Sequence, residues 1–176
     1  MTGSNICAIP EDFSVEERQA RAEKLFMEGY NCNQAVLLAF ADLLGGVDDR
    51  TLKLIGSGMG GGVGRLREVC GAVSAMAMVA GFLSPADRPA ALEARSANYA
   101  LVQKMAARFR EEKGSIVCRE ILGLRAGHTD APHPSERTPE YYRTRPCTAN
   151  VGLAARIVAE AVLELAESME HNSGAI

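Results

Sequence analysis

Residues 56–83, GSGMGGGVGRLREVCGAVSAMAMVAGFL, join a glycine-rich loop to an apolar run that holds one cysteine, Cys70. Six of the nine residues from Gly56 to Gly64 are glycine, so this backbone can adopt positive φ and approach another group closely. No charged residue occurs from Val69 to Leu83, and the small side chains that follow Cys70 leave room beside its thiol. The stretch therefore predicts a loop built around a cysteine near the start of a helix.

The bulk composition predicts a single globular domain. The chain has 176 residues, of which 47% are hydrophobic and 23% charged, so we expect one domain over 1–176 with a core over about 14–170. The net charge of −3 argues against a nucleic-acid-binding face. The N-terminal residues lack the pattern of a signal peptide, and the apolar run at 69–83 is shorter than the roughly 20 residues of a membrane span. We therefore expect a cytoplasmic protein without nucleic-acid or membrane partners, whose cysteines are metal-binding, catalytic or buried.

Capping signals mark the first two helices. Residues 14–17, SVEE, match a capping box, and Gly29 ends the helix that follows. Asn31 is the expected cap of the second helix, which places Cys32 at its first position and ends before Gly45. An apolar stripe at helical spacing continues from that cysteine: Val36, Phe40 and Leu43.

Apolar spacing, glycines and prolines predict the later helices. Residues 48–55 fit a short helix or a strand equally well. Helices are expected over these ranges: about 66–80, about 89–114, 115–123 with Cys118 at its third position, and from about 147 onward. The two longest carry these apolar faces: Leu92, Tyr99, Val102, Met105, Ala106 and Phe109 in one, and Val151, Ala154, Ala155, Val158, Val162, Leu165 and Met169 in the other.

Residues 124–146 differ from the rest of the chain. They are polar, contain four prolines and show no helical period, which predicts a long loop that is functional or disordered. A metal ion could be bound within it by His128, Asp130 and His133, although such residues in a polar loop are more often simply solvated. With no strand-like alternation elsewhere, the sequence predicts an all-α fold: a compact helical bundle with a glycine-rich loop and one long polar loop.

Four of the five cysteines are predicted at or near helix N-termini. They are Cys32, Cys70, Cys118 and Cys147, whereas Cys7 lies in the uncapped N-terminal segment. A thiolate at a helix N-terminus faces unpaired N–H groups and the positive end of the helix dipole, which lowers its pKa. Their spacing is not that of a zinc knuckle, so it gives no metal signature by itself. Buried cysteine is also a common core residue, which leaves a structural role open.

The arrangement of these residues resembles the C-GCAxxG-C-C family, which is described as redox-active. The resemblance spans about 14–166 and includes YNCNQAV, GMGGGVGR and CREILG, and its four cysteines match one for one: Cys32, Cys70, Cys118 and Cys147. The family's CGAxxG motif is CGAVSA here, with Ala75 in place of the final glycine. The resemblance implies a redox role for the four cysteines and brings neither a substrate nor a cofactor.

The glycine-rich loop has other interpretations. Residues 56–61 satisfy GxGxxG, but no acidic residue follows about 20 positions on, which argues against a dinucleotide site. The loop could bind an anion through its N–H groups beside Arg65 and Arg67, or it could simply pack over the cysteines, the simpler interpretation. If the loop and the cysteines enclose a cofactor, the cofactor would contact these glycines: Gly60, Gly61, Gly62 and Gly71.

Three functions follow from the sequence. The first is a thiol-based redox protein with one or two dithiol pairs among the four cysteines, acting on a redox partner protein or a small thiol or disulfide. The second is a module that binds zinc or an iron–sulfur cluster through the same cysteines. The third is a helical interaction protein with structural cysteines. The sequence leaves open whether the protein is an enzyme and whether it forms a homodimer.

Overall fold

The computed structural model describes residues 6–173 of the chain. Its helices are, in order, α1 (Val15–Met27), α2 (Cys32–Ala39), α3 (Asp49–Ser57), α4 (Gly71–Leu83), α5 (Leu92–Lys113), α6 (Cys118–Ile121), α7 (Pro139–Thr144) and α8 (Cys147–Ser173). Over this described range there is no strand, and the extended pairs are two isolated antiparallel bridges, Ile6–Leu44 and Val69–Val117. The all-α prediction is confirmed. None of the described helices has the length and apolar character needed to cross a bilayer.

Helices α2 and α8 lie at the centre of the bundle. Helix α8 packs against α1, α2, α4 and α5, and α2 also contacts α1, α3 and α4. The fully buried side chains between them include Phe26, Phe40, Phe109, Leu37, Leu52, Met76, Met105 and Ile157. Burying apolar side chains of this size is the main favourable term in folding, so this core fixes where the helix N-termini lie.

Both predicted cap residues cap their helices, but the capping box predicted for Ser14 is only half formed, since the Ser14 hydroxyl donates to the Glu16 carboxylate. The Ser14 hydroxyl accepts a hydrogen bond from the Glu17 N–H at 3.2 Å. Asn31 forms a full capping box with Gln34, because its side chain accepts from the Gln34 N–H and the Gln34 side chain accepts from the Asn31 N–H. Cys32 is therefore the first residue of α2, as the sequence predicts. Helix α8 begins at Cys147, also as predicted.

Several predicted boundaries were wrong. Helix α4 begins at Gly71 rather than near Leu66, because residues 61–67 take largely left-handed conformations. Helix α2 ends at Ala39 instead of near Gly45, and turns follow it. For residues 48–55, which the sequence left open between helix and strand, the structure has the helix α3, and Asp48 caps it by accepting from the Thr51 N–H. Cys118 occupies the first position of α6, not the third.

Two further sequence expectations need correction. The loop 124–146 contains α7, whose six residues are too few to show a helical period; Thr138 caps it and Pro139 begins it. On α5, Met105 and Phe109 are buried, but Leu92 is 67% and Tyr99 is 57% exposed, so the inward face covers only the C-terminal half. On α8 the stripe from Val151 to Val162 is buried as predicted, whereas the side chain of Met169 lies outside the described residues.

A buried arginine joins α1 to the turn after α2. The Arg18 guanidinium donates to both carboxylate oxygens of Asp42, at 2.5 and 2.6 Å, and to the Ala39 carbonyl at 2.8 Å. Arg21 reaches the same carboxylate at 3.5 Å, but 44% of its side chain is exposed. The two arginines thus contact one acid from the inside and from the surface.

We expect Arg18→Ala to lower the free energy of unfolding by about 2–4 kcal/mol, because it leaves Asp42 and the Ala39 carbonyl without their donor. Arg21→Ala is the matched control and should cost less than about 0.5 kcal/mol, as for an exposed ion pair. Urea unfolding followed by circular dichroism measures both. Equal losses for the two variants would contradict the structural role assigned to Arg18.

Candidate functional site

Four helix N-termini bring four thiols to one cavity. Cys32, Cys118 and Cys147 are the first residues of α2, α6 and α8, and Cys70 immediately precedes α4. All four line a cavity of about 60 Å³, which we call the thiol cavity. It is completed by Phe26, Gly61, Arg67, Ile121, Leu122, Arg137, Tyr141, Arg145 and Asn150. At about 30 Å³ per water, it has room for only a small group beside the sulfurs.

All five cysteines lie in the described part of the chain and are free thiols. Cys70 and Cys118 are buried, Cys32 and Cys147 are partly buried, and the exposed Cys7 lies outside the thiol cavity. The sequence expectation that Cys7 stands apart agrees with this placement. The structure therefore assembles the same four cysteines that the sequence singles out, while their chemical role stays a prediction.

Gly71 lets the backbone of α4 meet the thiol of Cys32. A Cβ atom at Gly71 would lie 2.3 Å from the Cys32 sulfur and 2.8 Å from the Met59 carbonyl oxygen, far inside van der Waals contact. At Gly62 a Cβ would lie 2.8 Å from Cys118 Cβ and 2.8 Å from the Glu68 backbone. Gly71 is thus required for close packing against a sulfur, and Gly62 for close packing against the backbone and Cβ beside another cysteine.

The other two glycines that sequence analysis assigns to a cofactor have different places. Gly61 lines the thiol cavity, whereas a Cβ at Gly60 would meet the Asn31 side chain at 2.9 Å. Gly60 therefore packs against the cap of α2 rather than against the sulfurs. Cofactor binding by these four glycines remains a prediction.

Cys32 is the thiol most favoured to ionise. A hydrogen bond from the Cys70 side chain lowers the pKa of Cys32 to about 6 against the effect of burial, and the backbone N–H groups of Gly61, Cys32 and Gly71 also contribute. The same contact raises the pKa of Cys70 well above its ordinary value, and burial adds to the rise. The two thiols therefore share one proton at neutral pH, with Cys32 as the thiolate and Cys70 as the donor.

The other two thiols keep their protons. Burial raises the pKa of Cys118, although the Arg67 guanidinium, whose Nη1 lies 3.9 Å from the Cys118 sulfur, opposes the rise. Burial also raises the pKa of Cys147, to about 11. Of the four thiols in the cavity, Cys32 has a lowered pKa, whereas the pKa values of Cys70, Cys118 and Cys147 are raised.

Two arginines of the glycine loop form ion pairs with the long polar loop. Arg67 is 4% exposed and donates through Nε to Asp130 at 2.5 Å, and Arg65 reaches the other oxygen of that carboxylate at 2.7 Å. The hydrogen bond from Arg67 and the charges of both arginines hold the pKa of Asp130 at about 2. This contact fixes residues near 130 over the glycine loop.

The loop holds its shape under backbone strain. Val63, Arg65 and Arg67 have φ values of 60°, 69° and 62°, a region that residues with a Cβ avoid at a cost of about 1–2 kcal/mol each. The segment is held by pairing with α6 and the residues before it, since the Cys118 N–H donates to the Glu68 carbonyl at 2.7 Å and the Cys70 N–H to the Ile116 carbonyl at 2.9 Å. Strain retained beside reactive groups is a mark of functional sites.

The structure does not support a metal site formed by His128, Asp130 and His133 in the polar loop. Asp130 is engaged by two arginines, with His128 Nε2 3.2 Å from its carboxylate, and His133 is exposed. Between Ile6 and Ser173, no three His, Cys, Asp or Glu side chains are grouped closely enough to hold a metal ion. The four thiols share a cavity without forming a ready ligand set.

Comparison with known proteins identifies the family. The family model described as "Putative redox-active protein (C_GCAxxG_C_C)" matches residues 30–161, which is most of the chain and spans all four cavity cysteines. The chain belongs to this family. No curated protein and no solved structure matches it.

The core accommodates the departure from the CGAxxG motif. Ala75, which stands where the motif has glycine, is fully buried on α4 and belongs to the main core cluster. The glycine that meets a sulfur is Gly71, and it is retained. The substitution therefore leaves the packing around Cys32 intact.

Sequence analysis missed four polar residues of the thiol cavity. They are Arg137, Tyr141, Arg145 and Asn150, and three of them come from the loop expected to lack structure. The Oδ1 atom of Asn150 and the Nη1 atom of Arg137 are buried and have no hydrogen-bond partner within residues 6–173. A cluster of arginines and tyrosines in 137–145, RTPEYYRTR, was the available signal.

We expect Gly71→Ala to destabilise the protein and to raise the pKa of Cys32, because the added methyl group must displace the Cys32 sulfur from its N–H donors. Gly81→Ala on the same helix is the control: no atom lies within 4 Å of its added Cβ, so it should be neutral or stabilise by up to about 1 kcal/mol. Urea unfolding and thiolate absorbance against pH measure both effects. A Gly71→Ala protein with unchanged stability and thiolate titration would contradict the packing argument.

Proposed function

We propose that this protein is a thiol–disulfide oxidoreductase in which Cys32 is the nucleophile and Cys70 the resolving thiol. The observation that supports the proposal best is the position of the Cys32 sulfur, which lies in the thiol cavity with Cys70 and so close to the α4 backbone that a Cβ at Gly71 would come within 2.3 Å of it. The Cys70 thiol is the main cause that lowers the pKa of Cys32 to about 6. A thiolate is the attacking species in disulfide exchange, and a pKa near the ambient pH combines a high thiolate fraction with good nucleophilicity.

The exchange proceeds in two balanced steps. The Cys32 thiolate attacks one sulfur of a substrate disulfide, forming a mixed disulfide and releasing the other sulfur as a thiolate. Cys70 then gives its proton to the released thiolate or to water and attacks the Cys32 sulfur, which forms the Cys32–Cys70 disulfide and releases the second substrate thiolate. The substrate gains two electrons, and the dithiol loses them.

The structure suggests how Cys70 becomes active only after the first step. While Cys32 is a thiolate, its negative charge and the hydrogen bond between the sulfurs hold the proton on Cys70. Once Cys32 is bound in a mixed disulfide, that charge is gone and the Cys70 proton is released more easily. The order of attack is thus built into the contact between the two thiols.

Cys118 and Cys147 line the same cavity with their protons in place. A second dithiol pair formed by them remains a prediction, as does its effect on the polar loop that they bracket. The partner that reduces or oxidises the protein, whether a protein or a small thiol, also remains a prediction.

Zinc or an iron–sulfur cluster on the same cysteines is the alternative. Four thiols around one cavity are the donor set that such groups use, and Arg67, Arg137 and Arg145 would balance its negative charge. The thiols as placed do not form a close ligand group within the described range, so we derive no step through a metal. Metal analysis after anaerobic purification separates the two functions, since stoichiometric zinc or iron would favour this alternative.

We expect reversible loss of two of the five thiols when the protein is equilibrated in thiol–disulfide buffers spanning about −320 to −180 mV. Peptide mapping should identify a Cys32–Cys70 disulfide. Cys32→Ser and Cys70→Ser should each abolish it, and Cys7→Ser, outside the cavity, should leave it unchanged. No reversible oxidation over this range would overturn the proposal, and a different pair would overturn the assigned roles.

Thiolate absorbance should show one cysteine ionising well below the ordinary thiol range, near the pKa of about 6 given for Cys32. Cys70→Ala removes the hydrogen-bond donor and should move this ionisation upward, while Cys147→Ala should leave it in place. Since the pKa of Cys32 is lower in the folded chain, its ionisation stabilises the fold at alkaline pH, and this contribution is lost as the pH falls through about 6. An unchanged titration in Cys70→Ala would show that the thiols do not share a proton.

A further inference from the structure

A polar groove of about 540 Å³ adjoins the thiol cavity. These residues line both: Gly61, Arg67, Arg137, Tyr141 and Arg145. We call it the arginine groove, because Arg65 joins the three shared arginines in its wall. Its volume lies within the range of about 300–1,000 Å³ typical of small-molecule sites. A ligand in the groove would therefore border the thiol cavity through these shared residues, while the cysteines themselves line only the cavity.

The arginine groove has a strong excess of positive charge. No acidic side chain is present among its described lining residues. Asp130 pairs with Arg65 and Arg67 and offsets part of their charge. The chain as a whole carries a net charge of −3, so this local excess is opposite in sign to the whole protein.

Arg137 and Arg145 are the uncompensated charges. Within the described chain neither forms an ion pair with a carboxylate, although both side chains are partly buried. Arg137 lies 4.4 Å from the Phe26 ring centroid and donates through Nη2 to the Tyr30 carbonyl at 3.3 Å, but its buried Nη1 has no partner. Arg145 stacks over Tyr141 at 4.9 Å. A guanidinium group without a carboxylate partner favours the binding of an anion.

The thiols do not supply that anion. Cys32 is ionised through its contacts with Cys70 and backbone N–H groups, not chiefly through arginine. Arg145 and Arg137 do lower the pKa of Cys147, but burial outweighs them and this thiol stays protonated. Both guanidinium groups lack a carboxylate partner in the described chain, and Arg137 is also held by the rings of Tyr141 and Tyr142, at 4.8 and 5.8 Å from their centroids.

We infer that the arginine groove is the substrate site, and that it binds a low-molecular-weight disulfide carrying at least two carboxylates, with Arg137 and Arg145 as the carboxylate ligands. The inference rests on the proposed function, since it supplies the substrate class for the exchange at Cys32. Guanidinium forks match carboxylates in two-point hydrogen bonds, which fixes the orientation of a small ligand as well as its charge. The substrate disulfide is the oxidant of that exchange and leaves as two carboxylate-bearing thiols.

The test uses three linear disulfides that differ in charge: dithiodipropionate, a dianion; bis(2-hydroxyethyl) disulfide, which is neutral; and cystamine, a dication. The rate of Cys32–Cys70 oxidation is measured with each disulfide. It is then divided by the rate at which the same disulfide reacts with a small thiol reagent that carries no other charged group, which corrects for the intrinsic reactivity of each disulfide. The dianion should be faster than the neutral reagent by about tenfold or more, and the dication slowest. Added salt should reduce the difference. The net charge of −3 alone would give the reverse order.

Arg137→Gln and Arg145→Gln should each reduce the ratio of the dianion rate to the neutral-reagent rate by several-fold, because each removes one carboxylate ligand. Arg137→Lys should retain part of the preference because it keeps the charge. The matched control is Arg143→Gln on α7: Arg143 is exposed, pairs with Glu140 and does not line the groove, so the preference should persist.

The outcomes separate the two proposals. Equal relative rates for the three disulfides, with the Cys32–Cys70 disulfide formed each time, would overturn this inference and leave the proposed function standing. Failure of all three reagents to oxidise the pair would overturn the proposed function. Equal slowing of all three reagents by Arg137→Gln and Arg145→Gln would assign these arginines to the fold rather than to the substrate.

Discussion

The contact between the backbone at Gly71 and the sulfur of Cys32 constrains the whole site. It requires the N-terminus of α4 and the N-terminus of α2 to meet at a distance that no side chain on residue 71 would permit. Cys70 immediately precedes α4, so the same approach brings its thiol against Cys32. The charge on Cys32 is then stabilised by fixed N–H dipoles, which need no reorganisation when the sulfur reacts. Packing and thiol chemistry thus depend on one close approach.

The left-handed loop before α4 is the second element of this arrangement. Gly61 directs its N–H to Cys32, and Arg67 brings a guanidinium to Cys118 at the cost of a positive φ. Asp130 holds Arg67 from the other side, and the backbone of residues 116–119 holds the loop from beneath. A strained conformation persists when its surroundings determine it from several sides, as here. The polar loop 124–146 therefore acts as a support for the glycine loop as well as a wall of the cavity.

Local rules predicted the helical part of this site well. The Asn31–Gln34 capping box placed Cys32 at the first position of α2, and the apolar stripe of α8 placed Cys147 at its beginning, because caps and periodicity are local properties. The start of α4 was misplaced because residues 61–67 adopt largely left-handed conformations that contacts distant in the sequence help to maintain. Residues 67–70 pair with residues 116–119, and Asp130 binds Arg65 and Arg67. Arg137, Arg145 and Asn150 were missed for a related reason. Their place in the cavity follows from tertiary packing, and α7 is too short to leave a period in the sequence.

The charges of the site divide into two sets with different partners. Neutral donors, the Cys70 thiol and backbone N–H groups, stabilise the thiolate of Cys32, while the guanidinium groups of Arg137 and Arg145 face the same region without a carboxylate partner in the described chain. If the arginines were the main stabilisers of the thiolate, an anionic substrate would compete with it for them. Because the thiolate relies on dipoles instead, an anion can occupy the arginines while Cys32 stays ionised. In the proposed mechanism, this separation would let the site combine an anionic nucleophile with an anionic substrate, two groups that would otherwise repel each other.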